Sequence, residues 1–145
     1  MRNLTISSPA FRNNHKIPPK YTCNGEDVNP QLDIEGLPEE TKSLVLIVDD
    51  PDCPIGVWVH WIVWNIKPTN KIEENSIRGV EGMNDFNKHS YGGPCPPSGT
   101  HRYFFKVYAL DTALSLSAHT RKKDLQHAMT GHILAKGELV GLYGR

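Results

Sequence analysis

Val57-Trp58-Val59-His60-Trp61-Ile62-Val63-Trp64-Asn65-Ile66 is the stretch whose reading decides the fold class. Strict alternation puts Val57, Val59, Trp61 and Val63 on one face, and Trp58, His60, Ile62, Trp64 and Ile66 on the other. Both faces are largely apolar, so the stretch reads as a central strand covered on both sides. Upstream, Leu44 to Val48 is a short apolar run rich in branched residues and closed by Asp49-Asp50-Pro51, which reads as a buried strand. Downstream, the run from His101 to Leu110 alternates His101, Tyr103, Phe105, Val107 and Ala109 against Arg102, Phe104, Lys106, Tyr108 and Leu110. Proline-rich turns lie between these runs, at Ile17-Pro18-Pro19, Asn29-Pro30, Leu37-Pro38, Asp50 to Pro54 and Tyr91 to Gly99.

Helical period enters only late, where Leu125, Ala128, Met129, His132 and Ile133 recur at i, i+3, i+4, i+7 and i+8. That spacing predicts one helix of about three turns, with His132 on its apolar face. Gly137 and Gly141 are expected to interrupt the chain, and Glu138 to Tyr143 to return as a final strand. The expectation is a mainly β, antiparallel structure of two packed layers, with a short C-terminal helix followed by a last strand. With 145 residues, no repeat and no linker-like tract, the chain reads as a single domain over residues 1–145.

Charge narrows the range of partners. Sixteen Lys and Arg against sixteen Asp and Glu leave no net charge to attract nucleic acid or a membrane surface. The zero is a cancellation: residues 1–20 carry four cations and no acids, whereas residues 21–55 carry nine acids against Lys42 alone. No stretch is long and apolar enough for a signal peptide core or a membrane helix. Cys23, Cys53 and Cys95 are an odd set with no metal-binding spacing, so reduced thiols and a cytoplasmic location are expected.

Two segments concentrate chemistry. In Asp50-Pro51-Asp52-Cys53-Pro54 the prolines stiffen a turn that presents two carboxylates, and Trp58-Val59-His60-Trp61 follows at once. A carboxylate near an imidazole fixes its tautomer and favours its charged form. The second segment, Tyr91-Gly92-Gly93-Pro94-Cys95-Pro96-Pro97, leads into His101-Arg102-Tyr103, with His101 and Tyr103 on one strand face and Arg102 pointing away. Asp85-Phe86 reads as an anchor for this loop, and Cys23 as an inert thiol among turn residues.

These two segments, with Gly131-His132-Ile133-Leu134-Ala135 near the end, resemble the signature regions of the phosphatidylethanolamine-binding protein family, which includes the Raf kinase inhibitor proteins. The absence of long insertions is similar to its short bacterial and archaeal branch, the YbhB/YbcL-like proteins. The resemblance implies a β-sandwich with a small anion-binding pocket for phosphate or phosphorylated head groups. Carried over by position, that pocket comprises Asp50, Asp52, Pro54, Trp58, His60, Gly93, Cys95, His101 and Tyr103. It further implies a kinase or protease as protein target and a homodimer, with no cofactor. Cys53 stands where the family often has alanine, and Ile55-Gly56-Val57 is a short bridge to the strand.

Imidazole N–H groups of His60 and His101, the Tyr103 hydroxyl and the glycine-loop amides are the expected donors to an anion. Binding should then tighten as pH falls from about 8 to about 6. Two other readings stay open at this point. One is a hydrolase with Cys95 as nucleophile and His60 or His101 as base. The other is a metal site made by Asp50, Asp52, His60 and His101.

Overall fold

Residues 43–50 are buried without exception, because this strand runs between two long antiparallel neighbours. The computed structural model describes residues 2–145. In chain order its strands are β1 (Arg2–Asn3), β2 (Thr5–Ser7), β3 (His15–Lys16), β4 (Leu32–Glu35), β5 (Ser43–Asp50), β6 (Trp58–Ile66), β7 (Lys71–Ile72), β8 (Val80–Glu81), β9 (Thr100–Leu110) and β10 (Ile133–Gly144). One α-helix, α1 (Lys122–Met129), lies before β10. The large sheet has the order β1-β10-β9-β5-β6-β8, with β3 paired to the far end of β10. Its long strands are antiparallel, and β1 and β3 join β10 in parallel. A smaller sheet, β2-β4-β7, covers one face.

Alternation along β5 divides the core in two. Leu44, Leu46 and Val48 join Ile6, Leu32, Ile34 and Ile72 of the smaller sheet in the cluster between the sheets. Val45 and Ile47 face the other way, where Leu110, Leu114, Leu125 and Met129 close a second cluster beneath α1. Both faces of the central strands are therefore covered, and their near-continuous apolar runs follow from that.

The strict alternation expected for β6 does not hold. Val48 pairs with Trp61 and Asp49 with Val59, so His60 has no partner; Leu44 pairs with Ile66 and Leu46 with Val63, so a second extra residue is accommodated there. Each bulge flips the side-chain parity. Val59, Ile62 and Trp64 consequently face α1, while Trp61, Val63 and Ile66 face the smaller sheet. Asn65 takes the left-handed turn at the second bulge, with φ 56°. Its side chain ties the bulge to the segment after β9 by donating to the Leu114 carbonyl (2.8 Å) and accepting the Leu114 N–H (2.7 Å).

The C-terminal segment departs from expectation at two points. The helix ends at Met129, and Gly131 turns the chain with φ 82°, so His132 lies beyond the helix and bonds Asp111 (2.8 Å) at the surface. Leu125 and Met129 remain the buried contacts of α1. Strand β10 then runs unbroken through Gly137 and Gly141. A side chain at Gly137 would collide with the Leu4 carbonyl, and one at Gly141 with Ile17, so these glycines admit the N-terminal segment rather than break the strand.

A histidine and aspartate pocket at the end of the central strands

Antiparallel pairing assembles the site. The C-terminal end of β5 lies between the N-terminal ends of β6 and β9, which brings Asp50 beside Trp58, His60, His101 and Tyr103. The 51–57 turn and the 92–99 loop close over this junction. Together they bound a cavity of about 200 Å³ lined by Asp50, Cys53, Trp58, His60, Phe86, Cys95, Pro96, Pro97, His101 and Tyr103.

Asp50 and His101 form its most buried polar pair, with Nδ1 to Oδ2 at 2.6 Å. A carboxylate only accepts, so His101 Nδ1 carries the proton and Nε2 is left for the cavity. The other Asp50 oxygen accepts the Asp52 backbone N–H at 2.7 Å, so the carboxylate is held from two sides. His60 is oriented differently. Its Nδ1 donates to the Gly92 carbonyl at 2.6 Å, because that carbonyl also only accepts. Burial pushes the His60 pKa down, against the weaker pull of the Gly92 carbonyl and Asp50. The sequence reading had a carboxylate raising it. In its neutral form His60 offers the cavity an Nε2 lone pair, an acceptor where a donor was expected.

Tyr103 packs between the histidines, its ring 5.3 Å from His60 and 6.4 Å from His101. Burial pushes its phenol pKa up, and Asp50 adds to this while the Cys95 backbone opposes it, so the hydroxyl stays protonated. Phe86 closes another wall, edge-on to Trp58 (5.5 Å) and His60 (5.2 Å). Asp85 sets it there by exchanging two bonds with Val59 (2.9 and 2.7 Å), and Gly92 leaves room for the ring.

Of the nine residues carried over from the sequence, Asp50, Trp58, His60, Cys95, His101 and Tyr103 line the cavity. Asp52, Pro54 and Gly93 do not. Asp52 turns outward and binds Arg102 with both oxygens (2.8 and 2.9 Å), and this hydrogen bonding holds its carboxyl at about 2. Arg102 faces away from His101, as alternation required, and pins the turn to β9. Pro54 is an exposed turn residue. Gly93 donates to Asp27 (2.7 Å), and a side chain there would strike the Tyr21 carbonyl, so it serves the close approach of two loops. Phe86, Cys53, Pro96 and Pro97 are the lining residues that the site reading left out. No periodicity marks them; of the pair read as an anchor for the loop, Asp85 bonds Val59 instead, and only the Phe86 ring packs against the loop, at Gly92.

The reduced-thiol expectation is overturned. Cys23 and Cys95 form a disulfide across 72 residues, and Cys53 is the free cysteine. A bonded Cys95 has no thiolate to act as a nucleophile. Support for a cytoplasmic location from unpaired cysteines goes with it. Among the described residues no three His, Cys, Asp or Glu side chains converge as metal ligands. No helix among them is long and apolar enough to cross a membrane.

Fold and site together define a two-sheet β protein with a small pocket, edged by histidines and an aspartate, at the mouth of its central strands. The chain belongs to the phosphatidylethanolamine-binding protein family, whose model matches residues 7–144. A UPF0098 protein of Archaeoglobus fulgidus is 52% identical over 99% of this chain and 52% of its own length. One from Pyrococcus horikoshii is also 52% identical, over 99% of this chain and 77% of its own. The chain thus spans about half the length of the first relative. A crystal structure described as a putative phosphatidylethanolamine-binding protein homolog from Chlamydia trachomatis superposes with a TM-score of 0.95 at 41% identity, over 100% of this chain and 99% of the other. Escherichia coli YbcL superposes with a TM-score of 0.90 at 27% identity, over 99% of each chain.

Proposed function

We propose that the pocket binds a small oxyanion of the phosphate or phosphomonoester type, without turnover, and that its occupancy regulates a protein partner of the kinase or protease kind. The observation that carries this reading is the Asp50–His101 pair facing the same cavity as the Tyr103 hydroxyl and the buried His60. With Nδ1 held by Asp50, His101 donates to the anion from Nε2, and Tyr103 donates from its hydroxyl. Neutral His60 accepts. A ligand that both accepts and donates matches this set, which favours a protonated phosphate over its fully ionised form. An anion is tolerated beside Asp50 because that carboxylate is already engaged by His101 and by the Asp52 amide.

The cavity volume suits a head group or a free anion rather than a whole lipid. Isothermal titration with inorganic phosphate tests the reading. Affinity should rise from pH 8 to pH 6, as the ligand gains the proton that neutral His60 accepts. His101→Gln should weaken binding at least tenfold, about 1.4 kcal/mol. A flat pH profile together with full binding by His101→Gln would sink the proposal. The homodimer and the cytoplasmic setting belong to the same proposal, and light scattering at micromolar concentration checks the first.

A further inference from the structure

Both half-cystines of the Cys23–Cys95 disulfide are exposed, yet Cys95 and the two prolines after it form a wall of the pocket. The first part of this loop is fastened many times over. Tyr91 donates to the Tyr21 carbonyl (2.7 Å), Gly92 N–H to His60 (3.1 Å), Gly93 N–H to Asp27 (2.7 Å), and Cys23 N–H to the Pro94 carbonyl (3.2 Å). The second part is not. Pro96 and Pro97 have no N–H to give, and the next backbone bond is Arg145 to the Gly99 carbonyl at 3.2 Å. Between Pro94 and Gly99 the wall is held by the burial of Pro96, by the disulfide and by the Arg145 guanidinium resting on both sulfurs (3.3 and 3.5 Å).

We propose that Cys23–Cys95 is a redox latch on the pocket: reduction frees the 95–99 wall and weakens oxyanion binding, and reoxidation restores both. The effect on binding rests on the oxyanion reading above, whereas the effect on the wall does not. An exposed disulfide is open to attack by an external dithiol, which supplies the two electrons. One thiolate of the dithiol attacks a sulfur of the bond, the Cys23–Cys95 bond breaks, and the second thiol resolves the mixed disulfide. Cys23 and Cys95 end as thiols and the dithiol as a cyclic disulfide.

The test compares the oxidised full chain, the same chain reduced with dithiothreitol, and Cys23→Ser kept in reductant, with thiol alkylation confirming each state. Cys23→Ser removes the bond without altering a pocket-lining residue. Backbone nitrogen-15 order parameters at Cys95, Ser98 and Gly99 should fall from about 0.85 to below about 0.6 in both reduced forms, with the central strands unchanged. Affinity for inorganic phosphate should fall about fivefold or more, and reoxidation should regenerate Cys23–Cys95 with Cys53 free. Unchanged order parameters at Cys95, Ser98 and Gly99 overturn the latch, and so does increased amide exchange throughout the sheets, which would make the bond a staple of the whole fold. Reoxidation to a Cys53–Cys95 bond overturns its reversibility. Lowered order parameters at Cys95, Ser98 and Gly99 with no phosphate bound by either form support the mobile wall and overturn the oxyanion reading.

Discussion

His60 and His101 lie within one cavity but differ in what their Nδ1 atoms meet, a carbonyl for the first and a carboxylate for the second. Burial lowers the pKa of His60, so the unfolded chain takes up this proton more readily than the folded one. The stability that follows is complete above about pH 6.5 and is lost as pH falls towards the lower folded pKa. Urea denaturation from pH 7.5 to 5 should show this loss, and His60→Gln should flatten it. An equal slope in both proteins would remove His60 as the cause. Both histidines and Asp50 were legible as site residues from the paired motifs. Their opposite roles were not, because a tautomer depends on the partner of Nδ1, and Gly92 is 32 residues from His60.

Strand β6 carries its lesson in its bulges. Its apolar content was enough to place it centrally, but alternation alone put Val59 with Trp61 and Val63, and Ile66 with Ile62 and Trp64, where the bulges put each on the opposite face. Each extra residue is paid for locally, by the His60 bond to Gly92 and by the Asn65 bonds to Leu114. Asn65→Ala keeps the bulge but loses two hydrogen bonds and the residue type best suited to positive φ. It should cost about 2–3 kcal/mol, from roughly 1 kcal/mol per bond and a similar penalty for left-handed backbone. A denaturant midpoint equal to wild type would show that the second bulge is not held by Asn65. The helix was legible from Leu125 and Met129, and its early end was not, since Ile133 is apolar for the sake of β10.

Across the whole molecule, the cancelling charges noted in the sequence find partners distant in the chain. Buried Asp49 meets Lys106 (3.2 Å) and Lys122 (2.7 Å), Asp50 meets His101, and Asp52 meets Arg102. The acidic end of β5 is thus neutralised by β9 and α1. Asp49 and Asp50, adjacent in sequence, serve opposite faces of the sheet. Lys122→Met should leave Asp49 with Lys106 alone and cost about 1–3 kcal/mol, because a buried carboxylate loses a charged donor. Thermal denaturation checks this, and an unchanged melting temperature would mean that Lys106 suffices. The layered β architecture was readable because periodicity and turn chemistry are local. The disulfide was not, because three cysteines permit several pairings and only tertiary packing brings Cys23 to Cys95.

The central claim is that one cavity, with His101 donating and His60 accepting, holds an oxyanion. Nitrogen-15 NMR of the histidine rings during titration with inorganic phosphate at pH 6 tests it most directly. The Nε2 signals of His60 and His101 should move together to saturation, with His60 Nδ1 protonated throughout and the surface rings of His89, His119 and His127 undisturbed. Shifts confined to those surface rings, or none at His101, would contradict it.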